Sequence, residues 1–367
     1  MLTAQRARRQ LEDAGFWIGE SFWKQLGEDW HVLLKPDKWD ALSSGDYLGA
    51  IDYTKVSKLR DFDAIAPALR RLGTSHIDLS TEGMCGMATQ SFLGETMGCP
   101  SLENLDALRG LRSLSSISVS SCSKLENVDG LKGLPALDHL YLDGCRKLQS
   151  IDGLRGLPSL TSVSLYDCDK LRNVDALQSL ASLNILVLAD CPALENVDGL
   201  RCLTGLTLLH LSRCHTVKNA GVFKNLTALN RLDLSGCDQL EDFNGLKALT
   251  TLRELDLSNC AAVRQVDGLA GLASLEKLNL SGCHALRNLD GLHGLINLKE
   301  LDLRECDLIE NLDALKGLST LQRLYLYDCP KLTPETVAAL KAALPKTDIL
   351  PWEVSTPEAA PITEQKR

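Results

Sequence analysis

Thirteen cysteines stand in this 367-residue chain, and most of them keep a single period. Cys99, Cys122, Cys145, Cys168, Cys191, Cys214, Cys237, Cys260, Cys283, Cys306 and Cys329 follow one another every 23 residues, leaving only Cys85 and Cys202 outside the series. Thiols can do three kinds of chemistry: bind a soft metal, pair as disulfides, or attack as thiolates. If each periodic cysteine ends one strand of a parallel sheet, the sulfurs stack at ~4.8 Å spacing, which is a column and not the tetrahedron zinc requires. The same ~4.8 Å lies inside the Cα range of a disulfide, but parallel Cβ vectors at that separation are slightly too far apart to bridge. The ladder is therefore expected to be buried free thiols that offer S–H to neighbouring carbonyls, with no metal, and to favour a reducing compartment.

A second column is acidic. Asp106, Asp129, Asp152, Asp175, Asp198, Asp267, Asp290 and Asp313 share one frame position, usually followed by Gly or Ala, with breaks at Gly221 and Asn244. A catalytic or calcium-binding carboxylate would not recur so often and tolerate such breaks. These acids are expected to cap the amides of a short turn. The one constellation with catalytic potential is Cys85 with His31 or His76 as base, since a thiolate nucleophile needs a neighbouring group that lowers its pKa. Cys85 also lies near Met84, Met87 and Met97, a soft-ligand set whose geometry nothing fixes. No catalytic residue is assigned, because neither a phosphate loop, HExxH nor a nucleophile elbow appears.

The elements that would position these groups follow from the frame LxLxxCxxLxxVDGLxxLxxL, as in Leu232-Asp233-Leu234-Ser235-Gly236-Cys237 followed by Leu240, Phe243, Leu246, Leu249 and Leu252. The LxL pair has the period of a strand with one buried face. After the cysteine, leucines recur every three residues, which suits 3₁₀ or short helical turns. Each unit thus adds one strand to a parallel sheet and one turn to an opposite wall. Gly221-Val222-Phe223 marks an irregular turn.

In these residues the chain resembles the leucine-rich repeat family, whose LxxLxLxxN/C signature is matched by Leu252-Leu255-Leu257-Cys260 and by nine other units. Two residues separate the cysteine from the next leucine and the unit is short, which brings it closer to the cysteine-containing, ribonuclease-inhibitor-like type. The resemblance implies an α/β solenoid, a horseshoe with a parallel concave β-sheet and short 3₁₀ or helical turns on the convex wall.

The expected organisation has an N-terminal helical capping region over 1–75, with helices over 4–14 and 63–72. The first strand, Ile77 to Ser80, and an insertion loop fill 76–98, and ten regular repeats fill 99–332. A C-terminal cap over 333–354 follows, in which Thr333 caps and Pro334 opens a helix that Pro345 stops. It resembles the closing helix and strand of ribonuclease-inhibitor-like arrays. The tail over 355–367 is expected to be disordered.

With leucine, cysteine and aspartate positions assigned to structure, the residues left to recognise a partner are those pointing outward from the sheet. The expected binding set is Tyr141, Tyr166, His210, Arg231, Asp233, Glu254, Asp256, Lys277, Asn279, Glu300, Asp302, Arg323, Tyr325 and Tyr327. Tyrosine combines apolar area with a polar tip and anchors interfaces. The sign alternation along Arg231, Glu254, Lys277, Glu300 and Arg323 suggests diagonal pairing with the neighbouring Asp column. Eleven strands at ~4.8 Å give a face about 50 Å long, enough for a protein partner.

A formal charge of −9 argues against wrapping nucleic acid, no apolar run suggests a membrane span or a cleaved signal, and no cofactor is implied. The resulting expectation is a monomeric, non-enzymatic protein-binding scaffold, cytoplasmic or exported without a cleaved signal. The alternatives are a translocated effector, a substrate-recognition subunit of a ubiquitin-ligase-type complex, and a cysteine-dependent enzyme with its chemistry in residues 1–98.

Overall fold

A computed structural model describes residues 16–20, 30–34, 67, 70, 76–78, 100–218 and 220–350. The expected helix over 4–14, the insertion over 81–98 with Cys85, and the tail over 355–367 lie outside these residues. The chain divides into two compact units, the first comprising Met1–Val217 with Val222–Leu229 and the second Lys218–Gly221 with Asn230–Arg367.

The first unit holds strands β1 (Phe16–Glu20), β2 (Trp30–Leu34), β3 (His76–Asp78), β4 (Ser116–Ser118), β5 (His139–Tyr141), β6 (Ser162–Ser164), β7 (Ile185–Val187) and β8 (Leu208–His210). From β2 onward each strand pairs in parallel with the next, whereas β1 runs antiparallel to β2. Between its expected helices over 4–14 and 63–72, the capping region expected to be helical over 1–75 contains two strands that the sequence reading does not include, β1 and β2. Their sequences, FWIGE and WHVLL, carry aromatic and β-branched residues that suit an extended backbone. Pro67 and Arg70, inside the expected 63–72 helix, are helical.

The second unit holds β9 (Arg231–Asp233), β10 (Glu254–Asp256), β11 (Lys277–Asn279), β12 (Glu300–Asp302), β13 (Arg323–Tyr325), helix α1 (Pro334–Ala343) and β14 (Asp348–Leu350). All neighbouring strands here are parallel. Thr333 accepts the Thr336 amide at 3.3 Å and Pro334 begins the helix, so the start signal read from the sequence operates as expected. No helix among the described residues is long and apolar enough to cross a membrane.

Within each unit the repeat is built alike. From β4 to β8 and from β9 to β13, strand partners lie 23 residues apart, as in Ser116↔His139 and Glu254↔Lys277. The ladder continues past the three-residue strand, with the Leu142 amide donating to the Ser164 carbonyl and the Gly144 amide to the Tyr166 carbonyl. The residue before each cysteine then takes a left-handed conformation, with φ from 53° at Asp328 to 71° at Gly144. This bend swings the cysteine inward. On the opposite wall, bonds of the i→i+3 kind follow one another, from Leu177 to Val174, Leu180 to Leu177 and Leu183 to Leu180. That is the 3₁₀ geometry expected from leucines three residues apart.

The left-handed position is strained for most side chains, and only Gly144, Gly236 and Gly282 meet it with glycine. Glu305, at φ 57°, is therefore a place where stability can be gained. Glu305→Gly is expected to stabilise the chain by roughly 1 kcal/mol, because an L-residue in this region carries a penalty of about that size. Urea unfolding checks this, and an unchanged or lower midpoint would remove backbone strain as the reason for the glycines in this column.

The cysteines complete the core. All ten from Cys122 to Cys329 are buried and free. The Cys145 thiol donates to the Val119 carbonyl at 3.3 Å, Cys214 to Leu188 at 3.1 Å, Cys283 to Leu257 at 3.1 Å and Cys329 to Leu303 at 3.0 Å. Each acceptor belongs to the preceding repeat, so the thiol ties one coil to the next, in agreement with the sequence reading.

The acidic column differs from expectation. Asp106, Asp129 and Asp313 open their turns, but each receives a side-chain oxygen at its own amide, from Asn104 at 3.1 Å, Asn127 at 3.1 Å and Asn311 at 2.6 Å. The Asp carboxylates reach forward to the outer surface, as in Asp106–Arg109 at 3.0 Å, Asp152–Arg155 at 2.8 Å and Asp198–Arg201 at 2.8 Å. The capping role thus falls to the residue two positions earlier. An Asn or Ser column at 104, 127, 150, 173 and 196 carried that signal in the sequence.

Candidate functional site

Because side chains alternate along a strand, each repeat has three outward positions, six, four and two residues before its cysteine, and all but a few such as Ser162, Ala189 and Ser258 are accessible. The sequence-derived binding residues all occupy these positions. In the first unit Tyr141 lies on β5, His210 on β8 and Tyr166 just beyond β6. In the second, Arg231 and Asp233 lie on β9, Glu254 and Asp256 on β10, Lys277 and Asn279 on β11, Glu300 and Asp302 on β12, Arg323 and Tyr325 on β13, and Tyr327 just beyond. Each is half-buried or exposed. The two units differ sharply in what they present there.

The second unit's face is charged and internally paired. Arg231 meets Glu254 at 2.8 Å, Lys277 meets the same carboxylate at 3.4 Å, and Arg323 binds Glu300. One residue before the strands, Glu276 lies between Arg253 at 2.8 Å and Lys299 at 2.6 Å, and these cations hold its carboxyl below the usual range. The expected diagonal pairing with the Asp column is thus corrected to pairing along one column, since in-register parallel strands set residues 23 apart side by side. The Asp column is occupied otherwise. Asp233 and Asp256 accept the amides of Ser235 and Ser258, both at 2.8 Å, and Asn279 accepts that of Ser281 at 3.0 Å. Asp302 accepts the Arg304 amide and binds its guanidinium at 2.6 Å, while that guanidinium lies 5.6 Å from the Tyr325 ring centre. These residues hold the turn that leads into the left-handed bend, a structural duty the sequence reading had not given them.

The first unit's face is almost uncharged. Its outermost column runs Ser116, His139, Ser162, Ile185 and Leu208, and the next runs Ser118, Tyr141, Ser164, Val187 and His210. Ile185 is 40% exposed, and Val187 and Leu208 are half-buried beside it. His139 stacks on Tyr141 with ring centres 6.5 Å apart. Ile185, Val187 and Leu208 are absent from the sequence-derived binding set. Their signal was visible as branched aliphatics in outward strand positions where polar residues are the rule.

At the border of this face Tyr166, 43% exposed, stands over a shallow depression of about 330 Å³ lined also by Arg146, Asp167, Asp169, Asp190, Pro192, Arg213 and His215. Arg146 binds Asp167 at 2.9 Å and Arg213 binds Asp190 at 3.1 Å. Partial burial and the adjacent Asp190 carboxylate push the Tyr166 phenol up from its ordinary value. It stays protonated at neutral pH and donates to the Asp190 carboxylate.

The buried thiols of the ladder offer little nucleophilic chemistry. Burial pushes Cys191 and Cys283 up to about 12 and Cys329 up to about 11, so thiolate is scarce at neutral pH. Among the described residues no three His, Cys, Asp or Glu side chains come together as a metal site would need.

The family description "BspA type Leucine rich repeat region" matches residues 96–218 and 210–333, in six copies. Among solved structures, an internalin from Listeria monocytogenes is 18% identical with a TM-score of 0.62, covering 82% of this chain and 88% of its own. A second Listeria monocytogenes internalin, C2, is 21% identical with a TM-score of 0.39, covering 64% of this chain and 82% of its own. A leucine-rich repeat protein from Leptospira interrogans is 18% identical with a TM-score of 0.40, covering 80% and 93%. No curated protein sequence matches the chain. At these identities the likeness to the first internalin is one of fold.

Proposed function

Because the chain belongs to the BspA-type leucine-rich repeat family, we propose that it is a binding scaffold that engages a protein partner through the accessible face of its parallel strands. One observation carries the reading. Leucine, cysteine and turn positions recur in every unit, whereas the outward strand positions change from unit to unit and include exposed aromatic and aliphatic side chains such as Tyr166, Ile185 and Tyr327. Large side chains held in water by rigid short strands lose little further freedom on binding, the property of interface anchors. Repeats of this kind generally serve as scaffolds and not as enzymes, and the suppressed thiolates fit that role.

The column of buried thiols supports action in a reducing compartment, with the cytoplasm as the proposed location. The partner proposed is a protein and not a nucleic acid, since the second unit's cations are matched by carboxylates along their own columns.

The test is affinity capture from the native cell with the full chain and two sets of variants. Alanine at Tyr325, Tyr327, Asp256 and Asp302, or at Tyr141 and Tyr166, is expected to deplete a captured protein at least about tenfold, the scale of one interface anchor. Alanine at Arg201 and Lys316 on the opposite wall is expected to leave it bound. If every captured protein is indifferent to both face sets, the strand face is not the binding surface.

A further inference from the structure

Resting on that reading, we infer that the binding centre of the first unit is the aliphatic patch Ile185, Val187 and Leu208, and that it takes a short segment of a protein partner carrying aliphatic side chains next to a lysine or arginine.

The patch is unlike the rest of the accessible strand positions. Its neighbours in the same columns are serines and histidines: Ser162 and Ser164 lie on one side, and His210 shares β8 with Leu208. Ser162 is buried beside it, so its hydroxyl keeps little contact with water, and Ala189, in the third column, is fully buried. Ile185 and Leu208 face each other across in-register strands, as do Val187 and His210. Three branched aliphatics in adjoining outward positions form one apolar surface with no charged side chain among them. Burying branched aliphatic side chains is favourable in itself, so this patch can anchor a partner where the paired charges of the second unit give little net affinity.

The border of the patch selects the partner's charge. The depression beside Tyr166 holds three carboxylates, Asp167, Asp169 and Asp190, against two guanidinium groups, Arg146 and Arg213, and is lined also by His215. Its balance is negative. Tyr166 presents an exposed aromatic ring there, and the face of such a ring attracts a cation even in contact with water. An ammonium or guanidinium can therefore sit against Tyr166 and the carboxylates while its chain neighbours lie on Ile185 and Leu208. Size limits the occupant as well. The five strands β4 to β8 span ~20 Å at ~4.8 Å spacing, which suits a segment of several residues better than a broad globular surface.

The probe is a displayed library of random twelve-residue peptides selected on the immobilised full chain, followed by fluorescence polarisation of the enriched sequences. Enriched peptides are expected to hold two or more aliphatic residues beside a Lys or Arg. Ile185→Asp and Leu208→Asp are each expected to weaken them at least about tenfold, as is replacing the peptide's basic residue by Glu. Ile185→Ser, a residue this column already holds at 116 and 162, is the milder variant if Asp disturbs folding, and it is expected to weaken binding several-fold. Lys316→Ala, on the opposite wall, is expected to leave binding within about twofold. Enrichment of acidic or wholly polar peptides, or of none, overturns the inference. So does binding that responds to Tyr327→Ala and not to Ile185→Asp, although the strand-face reading would then stand. Peptides indifferent to all face variants overturn both.

Discussion

Raising the pH from 8 to 10.5 is expected to unfold the repeats cooperatively, with the far-ultraviolet circular dichroism flat to about pH 9 and lost by the end of the titration. The reason is the thiol column. In the folded chain burial holds Cys191 and Cys283 at about 12 and Cys329 at about 11, and it raises Cys168, Cys260 and Cys306 as well. Cys145 is raised by the adjacent Cys122 thiol and by burial. Once unfolded, each ionises near the ordinary value of 9.0. The sign follows from proton counts. Below pH 9 both states keep the proton and stability is undiminished. Between 9 and the folded value only the unfolded chain releases it, so stability falls by about 1.4 kcal/mol per pH unit for every such thiol. The second unit carries four of them, Cys260, Cys283, Cys306 and Cys329, so one unit of pH removes on the order of 5 kcal/mol, comparable with the whole stability of many domains. Cys283→Ala should make the stability of the folded chain less steep in pH by one thiol's share. A spectrum unchanged at pH 11, or a slope that ignores the substitution, would show that the column is not protected from ionising.

Gly291→Val is expected to destabilise the chain by about 3 kcal/mol or more, the upper range for overpacking a tight contact. A Cβ at Gly291 would lie 2.0 Å from the Val266 carbonyl oxygen and 2.6 Å from the Asp267 Cα, which are backbone atoms with no rotamer to yield. Successive 3₁₀ turns are stacked main chain against main chain at this point. The frame position is not closed to side chains everywhere, since Ala176 and Ala314 occupy it, and Val222 stands in a turn lengthened to Ala220–Asn225. A valine therefore demands a longer turn, and the Asp290–Leu292 turn has no residues to supply one. Chemical denaturation of the purified variant measures the loss. A loss below about 1 kcal/mol would mean that neighbouring turns separate easily.

Much of this molecule could be read without coordinates because its period is so strict. Leucine spacing of two and then three residues gave the strand and the 3₁₀ turn, and the regular thiol column implied donors to a neighbouring carbonyl. Assignments failed where two residue types shared a neighbourhood and only one made the bond. Asp129 looked like a cap, yet Asn127 bonds its amide, because the carboxylate of a first turn residue points away from that amide. On sequence alone, diagonal pairing of Arg231 and Lys277 with the Asp column fits as well as pairing with Glu254, and only the register distinguishes them. The strands Phe16–Glu20 and Trp30–Leu34 were missed because they lie outside the repeat frame that organised the reading. As for the candidate site, the tyrosines were legible as single residues. The Ile185, Val187 and Leu208 patch was not, since it exists only when two consecutive units of sequence are laid side by side.

The strict register has an evolutionary consequence. A gene duplication or deletion that adds or removes a multiple of 23 codons leaves each remaining strand beside a partner in the same frame, with a carbonyl waiting for each thiol. A change of any other length inside a strand or 3₁₀ turn breaks the frame of its unit, and can be absorbed only where a loop leaves the coil, as between His76 and Ser116, which still pair. Lineages can thus shorten, lengthen or shuffle the recognition surface in whole steps, and edit its outward residues in between, while the selection that preserves foldability acts on a separate set of codons.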